Sequence, residues 1–79
     1  MMKIKLYEVR RKEGNTVDDD KRVGEKFHVT VAAVGRGAIL PYLNDSGQAL
    51  FTSRVEYIGI HDGLLKITTR NTEYMFEIL

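Results

Sequence analysis

The dipeptide Asp62-Gly63 constrains the fold of this chain more than any other feature of its sequence. An Asp-Gly pair between two apolar, β-branched segments is a strong signal for a two-residue type I′ hairpin, because both central residues must adopt positive φ. If these two residues form the loop, His61 pairs with Leu64. Ile58 then faces Ile67 on the side of the sheet that we expect to form the core. The sequence therefore predicts an antiparallel hairpin of defined register.

A second turn, at Asn71-Thr72, extends this hairpin into a three-stranded meander over residues 54–79. Asn tolerates positive φ, which favours a two-residue turn at this position. The resulting register places Ile67 opposite Phe76 in the core. On the other face it predicts two opposite-charge pairs between strands, Arg70–Glu73 and Lys66–Glu77.

The rest of the chain shows the same period of two and no helical spacing. Residues 4–9 alternate as a first strand, with Ile4 and Leu6 on one face, Glu8 expected beside them and Val9 on the other. Residues 27–34 alternate as a second strand. Both segments have the pattern of half-buried β-strands.

The middle of the chain supplies the remaining strands. Gly35-Arg36-Gly37 interrupts the second strand, residues 38–40 form a short third one, and residues 48–51 are expected to return apolar side chains to the core. A single domain of 79 residues with one solvated sheet face would have too small a core. We therefore predict an all-β domain over residues 1–79, a small partly open barrel or a strongly curled antiparallel sheet of five or six strands.

Composition limits the classes of function. The net charge is only +1, whereas proteins that bind nucleic acid mainly by neutralising phosphates are usually far more basic. No apolar run approaches the ~20 residues that cross a membrane. The chain contains no cysteine, which excludes disulfides and cysteine zinc sites. These features predict a cytoplasmic protein that does not enter the membrane.

The residues that most often perform catalysis or bind metals do not form a motif here. His28 and His61 have no cysteine partners and no close histidine spacing. Counted from Asp18, the glycine and the acid that a calcium loop needs at positions six and twelve are Val23 and Val29. We therefore predict that the protein is not an enzyme and has no metal site and no cofactor.

The outer face of the meander carries the main candidate binding residues. The predicted registers align Tyr57, Thr68 and Met75 in one row across the three strands. Lys66 and Arg70 flank this row on its two sides. An aromatic ring and a methionine with charged borders are typical of a modest protein-binding patch, and also of surfaces that stack single-stranded bases. Coverage of these residues by another segment remains an equal alternative.

Two further candidates lie outside the meander. The acidic run Asp18-Asp19-Asp20 falls in a long predicted loop, residues 13–25, which would suit docking to a basic partner. Arg36 stands between two glycines, so it is expected at the tip of a tight bend. We count both among the predicted binding residues.

The preferred function is a non-enzymatic binding module that contacts a protein partner. The alternative is binding of single-stranded nucleic acid through Tyr57, Lys66, Arg70 and Arg36. A third possibility is homo-oligomerisation through an open sheet edge, for which the last strand, residues 73–79, is the expected edge.

The C-terminal third also carries a resemblance. Its residues are Thr52-Ser53-x-Val55-x-x-Ile58, followed by Thr69-x-Asn71-Thr72-x-Tyr74. This pattern resembles the final meander of small uncharacterised bacterial and phage-type all-β proteins. The resemblance implies a compact β fold and, by association, a phage or mobile-element protein that modulates a host factor.

Overall fold

The computed structural model describes residues 2–11, 22–45 and 47–79, which form six β-strands and, within these ranges, no helix. The strands are β1 (Lys3–Arg11), β2 (Lys26–His28), β3 (Gly37–Pro41), β4 (Ala49–His61), β5 (Leu64–Thr69) and β6 (Thr72–Ile78). All of their pairings are antiparallel. The predicted all-β class is confirmed. Within the described ranges, no helix has the length and apolar character needed to cross a membrane.

The six strands curl into a nearly closed barrel. Their order in the sheet is β2-β1-β6-β5-β4-β3, so the chain order is kept around the barrel and β1 pairs with β6. Two isolated bridges, Phe27–Tyr42 and Val31–Ile39, join the β2 edge to the β3 edge. The predicted barrel of five or six strands is therefore confirmed. The predicted open edge at the last strand is wrong, because β6 lies between β1 and β5.

The core fills the interior of this barrel with side chains from every strand. It consists of Ile4, Leu6, Val9, Phe27, Ala38, Leu40, Leu50, Val55, Leu65, Ile67, Tyr74 and Phe76. Phe27 lies near its centre, with ring centroids 4.6 Å from Tyr42 and 6.1 Å from Phe76. Such offset and edge-to-face arrangements are the favoured geometries of aromatic pairs.

A β-bulge in β1 changes the predicted faces of that strand. The pairing with β6 shifts between Leu6 and Glu8, which leaves Tyr7 as an extra residue. An extra residue reverses the alternation that follows it. Val9 is consequently buried on the same face as Leu6, and Tyr7 is 55% exposed. The predictions that Val9 faces away from the core and that Glu8 faces it were wrong.

The second strand is shorter than the predicted alternation over residues 27–34. Only Lys26–His28 pairs regularly with β1. Val31 then exchanges two backbone hydrogen bonds with Ile39, at 2.8 and 3.2 Å. The chain therefore crosses from β1 to β3 in this segment, and that crossing brings the two ends of the sheet together.

The first turn of the meander agrees with the prediction. Asp62 and Gly63 adopt positive φ values of 52° and 78°, as a type I′ turn requires. β4 and β5 then pair in the predicted register, with Ile58 opposite Ile67. The Asp-Gly signal alone therefore predicts both the turn and the alignment of its strands.

The second turn lies one residue earlier than predicted, at Arg70-Asn71 instead of Asn71-Thr72. Thr69 and Thr72 flank it and are both buried. The Thr69 hydroxyl donates to the Thr72 carbonyl at 3.0 Å and accepts from the Thr72 N–H at 3.2 Å. Asn71 does not take the positive φ on which the predicted turn depended. A buried threonine pair, rather than an asparagine, closes this hairpin.

The earlier turn shifts the β5–β6 register by two residues. Ile67, predicted opposite Phe76, faces Tyr74 instead. Because two residues is the repeat of side-chain direction in a strand, every core residue keeps its predicted face. Within β5 and β6 the core residues are thus as predicted, while their cross-strand partners are not.

The fourth strand is longer than predicted and begins at Ala49 rather than at residue 54. Its first half pairs with β3 and its second half with β5, and the pairing is irregular in each half. Such irregularities bend a strand and allow a sheet to close. Leu50 enters the core, but Phe51 is 70% exposed on the outer face. The expectation that residues 48–51 return their apolar side chains to the core was therefore wrong for Phe51.

Candidate functional site

The outer surface of the meander brings several predicted binding residues together, although in a different arrangement. We call it the meander face and define it by Tyr57, Gly59, Lys66, Thr68, Glu73 and Met75. One row aligns Tyr57, Thr68 and Glu73; the next aligns Gly59, Lys66 and Met75. The predicted single row of Tyr57, Thr68 and Met75 is corrected by the two-residue register shift. Met75 lies one row further along β6.

Gly59 leaves room for the Tyr57 ring on the meander face. The Tyr57 side chain is 54% exposed, and its ring lies along β4 over Gly59. A Cβ atom on Gly59 would lie 2.7 Å from the Tyr57 Cζ atom, which is closer than van der Waals contact allows. Gly59 thus provides the space in which the ring rests. The alternative that Tyr57 is covered by another segment is excluded for the described residues.

A shallow depression of about 340 Å³ opens beside this ring. It is lined by Tyr57, Gly59, His61, Asp62, Leu64, Lys66 and Met75. This volume is at the small end of the range for ligand pockets, roughly 300–1,000 Å³. Its apolar part consists of Met75, Leu64 and the tyrosine ring, and its lining also includes the exposed residues His61 and Asp62, which are in contact at 3.2 Å. The depression has room for one large side chain of a partner.

The charges of the meander face are mixed. The predicted pairs Arg70–Glu73 and Lys66–Glu77 are wrong, because the Lys66 Nζ atom lies 3.2 Å from Glu73 Oε1. Arg70 lies in the turn beyond the rows and donates its backbone N–H to the Arg54 carbonyl at 2.9 Å. Glu77 and Asp62 add negative charge at the edge of the face. Lys66 is therefore partly neutralised by its neighbour.

Arg36 is fixed near the same strand. The Gly35 N–H donates to the Val55 carbonyl at 2.9 Å, and the Val55 N–H donates to the Arg36 carbonyl at 3.0 Å. The bend is thus tied to β4 two residues before Tyr57, and the Arg36 side chain is exposed. The predicted residues Asp18, Asp19 and Asp20 lie outside the described residues, so the structure does not place them.

Two outer surfaces were missed by the sequence reasoning. One is an apolar row in which Val31 pairs with Ile39 and Ile39 pairs with Phe51. The other is a group of basic residues on the β1–β2 ladder. The apolar row could have been predicted from the alternation around Leu50. Neighbours in a strand face opposite ways, so Phe51 faces outward when Leu50 faces the core. The basic group could be predicted only from the strand that pairs with β1, and no turn motif in the sequence indicated that strand.

Comparison with protein-family models, with curated proteins and with solved structures gives no match. The resemblance to bacterial and phage-type β proteins consequently stays a prediction. The function of this chain must be argued from the geometry of its surfaces.

Proposed function

We propose that this protein is a non-enzymatic binding module that contacts a protein partner through the meander face. The observation that carries the proposal is the Tyr57 ring, which is half exposed and lies over Gly59 at the wall of the depression. Tyrosine and methionine are enriched where proteins bind one another. A tyrosine side chain has only two rotatable χ angles, so ordering it on binding costs little conformational entropy.

The charges of this face favour a protein over single-stranded nucleic acid. Lys66 is paired with Glu73, and the carboxylate of Asp62 lines the same depression. These acids oppose the approach of phosphates, whereas they suit the polar rim of a protein interface. The partner that fits best inserts one bulky side chain beside Met75 and presents polar groups around it.

The resemblance and the composition suggest the setting in which such a module would act. A phage or mobile-element protein that modulates a host factor is what the resemblance implies. A reducing cytoplasm is the compartment that agrees with a chain without cysteine. Both belong to the proposal.

Affinity capture from host-cell lysate, divided into nuclease-treated and untreated halves, tests this proposal. We expect the protein to retain one stoichiometric partner after nuclease treatment, and Tyr57→Ala to lose it. Phe51→Ala is the matched control, because Phe51 is another exposed aromatic residue, 70% against 54%, near the start of β4 and away from the meander face. Equal capture by the two variants, or loss of every captured protein with nuclease, would contradict the proposal.

A further inference from the structure

Three lysines lie together on the outer face of the β1–β2 ladder, beside His28, whose Nδ1 atom is buried. Ile4 and Phe27 face each other across these strands and are both fully buried. The residues on either side of them must therefore point outward, because side chains alternate along a strand. They form two cross-strand pairs, Lys3 with His28 and Lys5 with Lys26. We call these four residues the basic square.

The three lysines of the basic square bring like charges close to one another. Directly opposed residues have Cβ atoms about 5 Å apart, and like charges at that distance repel. In the part of the chain that the structure describes, no ion pair involves Lys3, Lys5 or Lys26. Glu77 faces Lys5 from β6 without forming one. This surface therefore attracts an anion.

An exposed aromatic ring stands at one end of the square. Tyr7 follows Lys5 on β1, and the bulge at this position leaves its ring 55% exposed. Beyond it, Arg10 and Glu8 neutralise one another at 3.1 Å. A base can stack on the face of such a ring, because every base has a π-face. An acidic peptide would use the lysines and leave the ring without a partner.

We propose that the basic square and Tyr7 form a binding site for a short stretch of single-stranded nucleic acid. The three lysines contact successive phosphates, and Tyr7 stacks beneath one base. This site lies on the neighbouring strands β1 and β2, beside the meander face where Glu8 pairs with Met75, and it does not depend on the protein-binding proposal. It moves nucleic-acid binding away from Tyr57, Lys66 and Arg70, where the acidic neighbours oppose it.

Fluorescence anisotropy with a labelled oligothymidylate, measured over a series of salt concentrations, tests the site. Three phosphate contacts predict a slope of about −2 for log affinity against log salt, or about 16-fold weaker binding between 50 and 200 mM salt. Lys5→Ala with Lys26→Ala should reduce the slope to about −0.7. Tyr7→Phe should bind normally, whereas Tyr7→Leu should weaken binding about fivefold or more.

Two variants distinguish loss of this site from a general loss of positive charge or of the fold. Lys66→Ala with Arg70→Ala removes the same number of cations from the meander side and should leave the affinity unchanged. Lys26→Glu should abolish binding without unfolding the protein, since it places opposite charges in a cross-strand pair with Lys5. Thermal unfolding of this variant checks that its fold is retained.

Three results would overturn the inference. The first is no oligonucleotide binding by the unaltered protein at low salt. The second is an equal loss of affinity in the Lys66/Arg70 variant, which would return the site to the meander face. The third is equal competition by polyglutamate of matched charge, which would show that the square binds any polyanion. None of these results would affect capture of a protein partner through Tyr57.

Discussion

Gly37 and Gly59 both lie in strands, but their surroundings differ. A Cβ atom on Gly37 would lie 2.7 Å from the Thr52 carbonyl oxygen, which is backbone, whereas at Gly59 it would meet the movable end of Tyr57. We expect Gly37→Ala to lower the free energy of unfolding by about 1–3 kcal/mol, because the backbone must shift.

Gly59→Ala should change stability by less than about 1 kcal/mol, since the tyrosine can turn away and alanine suits a strand better than glycine. Urea unfolding compares the two variants. The displaced ring should nevertheless weaken partner binding by Gly59→Ala. An equal stability loss at both glycines would mean that Tyr57 is as rigid as backbone.

At the scale of the secondary-structure elements, the turn between β5 and β6 depends on the side chain of Thr69. Thr69 makes both hydrogen bonds that connect it to Thr72. Thr69→Val keeps the shape but leaves the buried Thr72 N–H without this partner, so we expect a loss of about 1–3 kcal/mol. Thr68→Val, on the outer face of the same strand, is the control and should cost little. Urea unfolding with equal midpoints for the two variants would show that the hydroxyl does not hold the turn.

The elements also show what the sequence could reveal. Asp62-Gly63 predicted its hairpin because positive φ at both positions is a strong local requirement. The turn predicted from Asn71 was wrong, because asparagine accepts several turn conformations and the hydrogen bonds of the buried Thr69 select one of them. The bulge at Tyr7 has no local signature, since it depends on the strand opposite.

The candidate sites show the same difference between local signals, which the sequence reveals, and long-range pairing, which it does not. Tyr57 and Lys66 were found because they lie on a hairpin whose register was readable, while Met75 was placed in the wrong row. The basic square was missed because Lys5 and Lys26 are far apart in the chain and meet only when the barrel forms. Local chemistry was therefore predictable, and long-range pairing was not.

The stability of the whole molecule depends on one small hydrophobic core. A domain of 79 residues has a free energy of unfolding of roughly 4–12 kcal/mol. Phe76 is fully buried against Phe27, so Phe76→Ala should remove about 3–5 kcal/mol and leave the barrel close to unfolding. Phe51→Ala is the matched control, because that ring is 70% exposed and should contribute less than about 0.5 kcal/mol. Thermal unfolding of both variants checks this, and similar losses would contradict the described barrel interior.

The most direct test of the central claim is photocrosslinking from defined positions of the folded protein. A benzophenone amino acid replaces Tyr57 in one sample and Phe51 in another, and each is irradiated in nuclease-treated host lysate. We predict one dominant protein adduct from position 57 and none of that mass from position 51. The same adduct from both positions, or from position 51 alone, would contradict binding through the meander face.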